Sequence, residues 1–270
     1  MSDHGGTERL DVHLVRLGLA RSRTAAQRLV RAGGVRVDGV VVDKPSYAVG
    51  LGQQVTSTPD EVTRWVGRGA LKLLHALTTW EIEVRGRRCL DVGASTGGFT
   101  QVLLAHGAAH VTALDVGHGQ LVAELADDPR VTDLPGTNIR DVGPERVGTF
   151  GLVVGDVSFI SLRLVLPSVA ALVEPDGDVI FLVKPQFEVG RDRLGHGGVV
   201  SSVAERSRVL HEVVEVGTGL GWHVHGIDRS PVTGTHGNTE YLLWLASSTA
   251  GMMEAGAVRA RIRALTQEDD

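Results

Sequence analysis

The sequence predicts an α/β protein: a doubly wound, mostly parallel sheet with helices on both faces, preceded by a small basic α+β module. Three observations carry this expectation. Apolar strand patterns and helical patterns alternate from Val66 onward, as a parallel sheet with crossover helices requires. The run Cys-Leu-Asp-Val-Gly-Ala-Ser-Thr-Gly-Gly-Phe-Thr, residues 89–100, has the form of a buried strand turning through a glycine loop into a helix. The first 58 residues have a different pattern, short helices followed by a hairpin, and are net basic where the rest of the chain is net acidic.

In the N-terminal module, Leu10, Leu14, Val15 and Leu17 are spaced for a helix over residues 9–19, with Gly18 interrupting its end. Ser22 offers an N-cap for a helix over 23–32, closed by Gly33-Gly34. Residues 35–42 read as a hairpin turning at Asp38-Gly39, and a last strand is expected near 54–56. We expect a disordered start over 1–8, the module over 9–58, a linker over 59–66 and the main domain over 67–270. In the main domain, helices are expected near 69–78, 97–106, 119–126, 162–173, 203–220 and 253–265. Strands should end at Asp91, Asp115, Asp133, Asp156 and Lys184, with later strands at 222–228 and 241–245, the last running antiparallel at or near an edge.

The chain has 270 residues and a net charge of −5, which alone says nothing for nucleic acid. Between Arg9 and Lys44, however, eight Lys or Arg face three Asp, a net of +5, leaving −10 elsewhere. A basic module on an acidic body suits a polyanion docked at one end. A single cysteine excludes a disulfide framework and a thiolate metal site, and the eleven histidines lack ligand-like spacing, so no metal is expected. There is no long apolar stretch, and the first residues have no signal-peptide character. A cytoplasmic monomer with no stable membrane association is the expectation.

The glycine loop suits a small nucleotide-like ligand. A dinucleotide site would read G-x-G-x-x-G with phosphate on the helix N-terminus, whereas here an acid precedes the first glycine and x-x-x-Gly-Gly follows it. An acid in the loop favours a cationic amino-acid tail over a pyrophosphate, which points to S-adenosylmethionine (SAM). Structural glycines in an ordinary strand–turn–helix are the alternative. Asp91, Gly93, Ala94, Ser95, Thr96, Gly97, Gly98 and Phe99 are the candidates around the methionine portion. Asp115, 24 residues after Asp91, is the candidate for the ribose hydroxyls, and Asn138 for the adenine edge or simply a turn.

The strand ends carry polar groups that a core does not require. Asp156 and Lys184 each close an apolar strand, where ligands of an open α/β sheet bind. Asp156-Val-Ser-Phe159 lacks the two prolines typical of enzymes that methylate a base amine, and no second cysteine is available for carbon methylation. A hydroxyl nucleophile remains, and it needs a base. Lys184 is the candidate, helped by a neighbouring cation that would lower its pKa. Lys72, in a helix before the first strand, and Glu240, opening the last one, complete a set.

Two resemblances follow from these residues. Arg9-Leu-Asp11, Gly18-Leu-Ala-Arg-Ser-Arg23 and residues 34–46, Gly-Val-x-Val-Asp-Gly through Lys-Pro-Ser, resemble the S4 RNA-binding domain. That resemblance implies phosphate contacts from Arg9, Arg21, Arg23, Arg28, Arg36 and Lys44. The order Lys72…Asp156…Lys184…Glu240 resembles the Lys-Asp-Lys-Glu tetrad of FtsJ-like ribose 2′-O-methyltransferases. With Lys-Pro-Gln-Phe-Glu-Val-Gly at 184–190, the whole chain resembles the TlyA (hemolysin A-like) family of rRNA methyltransferases. The implied fold is a Rossmann-like SAM-dependent methyltransferase domain behind an S4 module. The implied activity is 2′-O-methylation of cytidine in 16S or 23S rRNA on ribosomal subunits. An NAD-dependent oxidoreductase with an appended RNA module, a non-catalytic RNA-binding or assembly factor with a degenerate domain, and a membrane-active hemolysin are the rival readings. The segment 186–200, with Arg191, Arg193 and His196, is a candidate lid.

Overall fold

The computed structural model describes residues 7–20, 22–31, 33–57, 65–190, 193–234 and 237–267, and the chain divides into two compact units, Met1–Val66 and Gly67–Asp270. In the first unit, β1 (Glu8–Arg9) leads into α1 (Leu10–Arg16) and α2 (Arg23–Arg31), followed by β2 (Val35–Val37), β3 (Val40–Val41), β4 (Ala48–Val49) and β5 (Val55–Ser57). Leu10, Leu14, Ala26, Leu29 and Val30 bury one stripe of each helix against Val35, Val37 and Val49, a small continuous core. The hairpin turns where Asp38 and Gly39 both take positive φ, 49° and 81°, the geometry whose twist matches the flanking strands. Ser22 caps α2 by accepting a hydrogen bond from Ala25 N. The first helix is shorter than expected, because Gly18 turns the chain at φ +70°. The β1–β4 pair is two residues long, too short to leave a periodic signal.

The second unit contains α3 (Ala70–Thr79), β6 (Arg88–Val92), α4 (Gly98–Ala105), β7 (His110–Leu114), α5 (Ala123–Ala126), β8 (Val131–Leu134), α6 (Pro144–Val147) and β9 (Phe150–Gly155). It continues through α7 (Leu162–Ala170), β10 (Val173–Val183), α8 (Pro185–Glu188), α9 (Val203–Gly219), β11 (His223–Arg229), β12 (Tyr241–Ala246) and α10 (Ala255–Gln267). Seven strands form one sheet in the order β11-β12-β10-β9-β6-β7-β8. Strands β10, β9, β6, β7 and β8 are parallel neighbours, and β12 runs antiparallel between β10 and β11. The order reverses between β6 and β9, which makes their carboxyl ends the switch point where α/β sheets bind ligands.

Two expected helices are shorter than their patterns suggested. The segment predicted over 119–126 is helical only from Ala123, since Asp115 accepts a hydrogen bond from Gly117 N and Gly119 sits at φ +60°, holding the chain in a turn. The helix predicted to reach residue 173 ends at Ala170, because β10 begins at Val173 and runs eleven residues, with a register shift against β9 between Val173 and Asp178. Cys89 is buried inside β6, and burial pushes its thiol up to about 12, an inert core residue.

Candidate active site

The glycine loop forms at the end of β6 because two positions there exclude a side chain. Gly93 has φ +82°, and a Cβ on it would stand 3.0 Å from the Asp156 carbonyl oxygen, so the β6 and β9 ends approach backbone to backbone. Gly97, at φ +95°, precedes α4, and a Cβ there would strike Leu125 and Leu121. The Cβ direction of Gly97 therefore faces α5 and the turn before it, and Gly97 lines neither of the two cavities beside this loop. Asp91 is likewise turned inward. It is fully buried beneath the loop and lines neither cavity; its Oδ2 accepts hydrogen bonds from Thr100 N (2.9 Å) and Thr100 Oγ1 (2.7 Å), tying the loop to α4. Its Oδ1 is buried with no hydrogen-bond partner, and burial raises the carboxyl to about 7 despite the Thr100 bonds.

Lys72, Asp156, Lys184 and Glu240 meet above this loop. Asp156 follows β9, the strand beside β6, and its N–H still bonds Val92 O. Lys184 directly follows β10; Pro185 keeps the residue before it extended and starts α8, so Lys184 stops at the rim instead of entering a helix. Glu240 reaches the same rim because β12 is antiparallel, pairing its first residue, Tyr241, with Val183, the last of β10. Lys72 comes from the first turn of α3.

The two ammoniums share Asp156. Lys72 Nζ donates to Asp156 Oδ2 (3.1 Å) and to Glu240 Oε2 (2.7 Å). Lys184 Nζ is 2.7 Å from Asp156 Oδ1, an ion-pair contact out of hydrogen-bond alignment, and donates to Ser158 Oγ at 2.8 Å. Burial opposes charge on both Lys72 and Asp156, but their partners prevail. Asp156 and Glu240 hold Lys72 above the ordinary lysine value, while Lys184 and Lys72 hold Asp156 below the ordinary carboxylate value. The Asp156 carboxylate thus stands between the two amines.

Two adjoining cavities flank the cluster. One, of about 350 Å³, is lined by the tetrad, by Gly93, Ala94, Ser95, Thr96, Gly98 and Phe99, and by Arg68 and Thr233. The other, of about 490 Å³, is lined by Leu114, Asp115, Val116, Asn138, Ile139 and Phe159, among others. They share Gly93, Ser95, Asp156 and Ser158. Asp115 Oδ2 accepts a hydrogen bond from Ser95 N at 2.8 Å, joining the β6 and β7 loops. Asn138 lines the second cavity, but its side-chain oxygen caps a short helical turn by accepting from Arg140 N. Ser95 and Phe159 hold left-handed backbone without being glycines, φ 48° and 64°, in the two loops that meet at the shared wall.

Sequence reasoning missed several residues here. Arg68 sits one helical turn before Lys72, a spacing that could have flagged it. Ser158 lies two residues after Asp156, and nothing local marks it as a partner of Lys184. Gln186 donates to Glu240 Oε1 at 3.1 Å, and no local pattern announces it. In the candidate lid, Arg191 and the His196 side chain lie outside the described residues, and Arg193 pairs with Glu205. Gly198 O and Val200 N both bond the Asn238 side chain, which ties this segment to the loop preceding Glu240.

In the N-terminal unit, Arg28, Arg36 and Lys44 are exposed, and Arg21 lies outside the described residues. Arg9 and Arg23 are exposed too, but both are bound by the buried Asp11 carboxylate, which also accepts from Gln27 Nε2. Those arginines hold Asp11 well below the usual carboxylate range.

The FtsJ-like methyltransferase family model matches residues 65–247, and the S4 domain model matches residues 8–55. The chain is 50% identical over 248 residues, 92% of each chain, to a Mycobacterium tuberculosis protein named 16S/23S rRNA (cytidine-2′-O)-methyltransferase TlyA. It is 35% identical to a protein named Hemolysin A from Brachyspira hyodysenteriae, across 87% of this chain and 98% of that one. A solved structure from Streptococcus thermophilus, described as a candidate hemolysin, superposes with TM-score 0.73 at 37% identity, covering 97% and 96% of the two chains. The chain is an enzyme of the TlyA family, an FtsJ-like methyltransferase with an S4 domain.

Proposed function

We propose that the enzyme transfers a methyl group from SAM to the ribose 2′-hydroxyl of cytidine in 16S rRNA, 23S rRNA or both, with ribosomal subunits as its partners. The observation that carries this reading is the Lys72–Asp156–Lys184–Glu240 cluster at the rim of the glycine loop, two amines and two carboxylates lining one cavity. The relative of M. tuberculosis named for cytidine 2′-O-methylation supplies the nucleotide.

The residues present fit SAM. The more apolar cavity with Asp115 at its edge suits adenosine, since Asp115 Oδ2, which accepts from Ser95 N, keeps a lone pair for a ribose hydroxyl. The polar cavity beside Ser95, Thr96 and Gly98 suits the amino-acid tail. When bound, SAM supplies an electrophilic methyl on a sulfonium and brings positive charge to the shared wall. Lys72, gripped by two carboxylates, keeps its proton and orients the ribose. Lys184, with one carboxylate contact, is the group that takes the hydroxyl proton as the carbon–oxygen bond forms. Asp156 positions both amines, and much of the acceleration comes from that alignment. Exposed Arg28, Arg36 and Lys44, together with the Asp11-bound Arg9 and Arg23, are the candidate phosphate contacts of the S4 unit.

The test is incubation of purified protein with ribosomal subunits and radiolabelled SAM, followed by mapping of 2′-O-methyl positions. Wild type should label cytidine riboses. Lys184→Ala should lose transfer while SAM binding, measured by calorimetry, stays within about twofold, because general-base removal acts on the chemical step. Label on a base, or equal loss of both properties, overturns the reading.

A further inference from the structure

Ser158 stands where the two cavities meet and contributes to the wall of each. It is exposed, so its hydroxyl is not needed to fill a core. Its Oγ accepts a hydrogen bond from Lys184 Nζ at 2.8 Å, the aligned hydrogen bond of that amine among the described residues. The contact with Asp156 Oδ1 is closer, 2.7 Å, yet misaligned, and so acts as a charge attraction with little directional preference.

This difference matters for a lysine that works as a base. A neutral amine carries two N–H bonds and one lone pair in tetrahedral array, and the lysine stem leaves their rotation free. Attraction to one carboxylate oxygen holds the nitrogen in place but does not fix where the lone pair points. A second, directional acceptor does. With one N–H on Ser158 Oγ and the other drawn toward Asp156, the remaining tetrahedral direction is the one left for the hydroxyl that reacts.

We propose that Ser158 is a positioning residue for methyl transfer, its hydroxyl setting the rotation of the Lys184 amine so that the lone pair faces the ribose 2′-hydroxyl. This rests on the reading of Lys184 as the base. In the step it serves, the oxygen–methyl bond forms and the sulfur–methyl bond breaks with its electron pair remaining on sulfur. The hydroxyl proton passes to Lys184 Nζ, which becomes an ammonium with three N–H groups. Ser158 neither gains nor loses a proton; it accepts the same hydrogen bond before and after.

The experiment uses the full chain with ribosomal subunits and SAM, comparing wild type, Lys184→Ala, Ser158→Ala and Ser158→Thr in one assay. Ser158→Ala should lower kcat by roughly 10- to 100-fold, the scale of a misaligned reacting group. The KM for the ribosomal substrate and the Kd for SAM should stay within about twofold, and Ser158→Thr, which keeps the acceptor, should regain at least about half of the lost rate. Unchanged kcat in Ser158→Ala, a loss expressed in KM or SAM affinity, or a threonine variant no better than alanine overturns the proposal. Wild type that transfers no methyl to a 2′-hydroxyl, or an active Lys184→Ala, instead sinks the underlying reading of the site. The two failures are therefore distinguishable.

Discussion

Lys72 Nζ lies 2.7 Å from Glu240 Oε2 across 168 positions of sequence, and both side chains are buried. The pair is the point at which the first helix of the large unit is joined to the strand that enters its sheet antiparallel. Gln186 donates to the other Glu240 oxygen and Asp156 accepts from the ammonium as well, so each charged group has more than one hydrogen-bond partner.

Removing one partner should therefore be costly. Lys72→Met leaves Glu240 charged, buried and without its cation, and is expected to destabilise the enzyme by about 3 kcal/mol. Adding Glu240→Gln removes the stranded charge and should recover more than half of that loss. Urea unfolding of the three proteins measures both.

Asp91 predicts a pH dependence. Its folded-state value, about 7, lies above that of an unfolded aspartate, so the folded protein binds the extra proton. The stability this contributes is fully present below the unfolded value and declines as pH rises through about 7. Asp91→Asn cannot titrate and should flatten that decline. The difference in unfolding free energy between variant and wild type should therefore move in the variant's favour by a few kcal/mol between about pH 4 and pH 8. An identical pH profile for both proteins would show that the group does not titrate in that range.

Gly93→Ala separates backbone strain from steric contact. At φ +82°, with the Asp156 carbonyl 3.0 Å from the new Cβ, it should cost about 1–3 kcal/mol and weaken SAM binding. Gly86 has a similar φ, +76°, and open space around its Cβ position, so Gly86→Ala should show the conformational cost alone and leave SAM binding unchanged. Thermal unfolding with and without SAM reads both effects.

In the S4 unit, Lys44→Ala should weaken rRNA binding without altering SAM affinity. The slope of log affinity against log salt concentration should fall by about one, as for loss of a single phosphate contact. Asp11→Asn should also weaken RNA binding, because it loosens the anchor shared by Arg9 and Arg23. Salt titrations of binding to ribosomal subunits check these two outcomes.

Much of this architecture was legible locally. Asp38-Gly39 announced its hairpin and Ser22 its helix cap, since turn and cap chemistry depend on residues a few positions apart. Asp156 and Lys184 could be placed at strand ends because apolar runs stop there. Other features left no such trace. The loop motif does not show that Asp91 bonds Thr100 or that the Cβ direction of Gly97 points at Leu125, because which side of a turn a residue presents depends on what packs beneath it. Gln186 and Ser158 are ordinary loop and helix-start residues until their partners arrive from other strands.

The sequence by itself determined the alternation of strands and helices, the glycine turn after Asp91, the basic character of the first module and the kinship with a methyltransferase family. These follow from periodicity and turn preferences that act within a few residues. Only the tertiary structure decided that Asp156 divides its two oxygens between Lys72 and Lys184, and that Glu240 arrives at their rim. That outcome depends on strand order and on β12 lying antiparallel beside β10, and charges distant in sequence meet only after the sheet has been assembled.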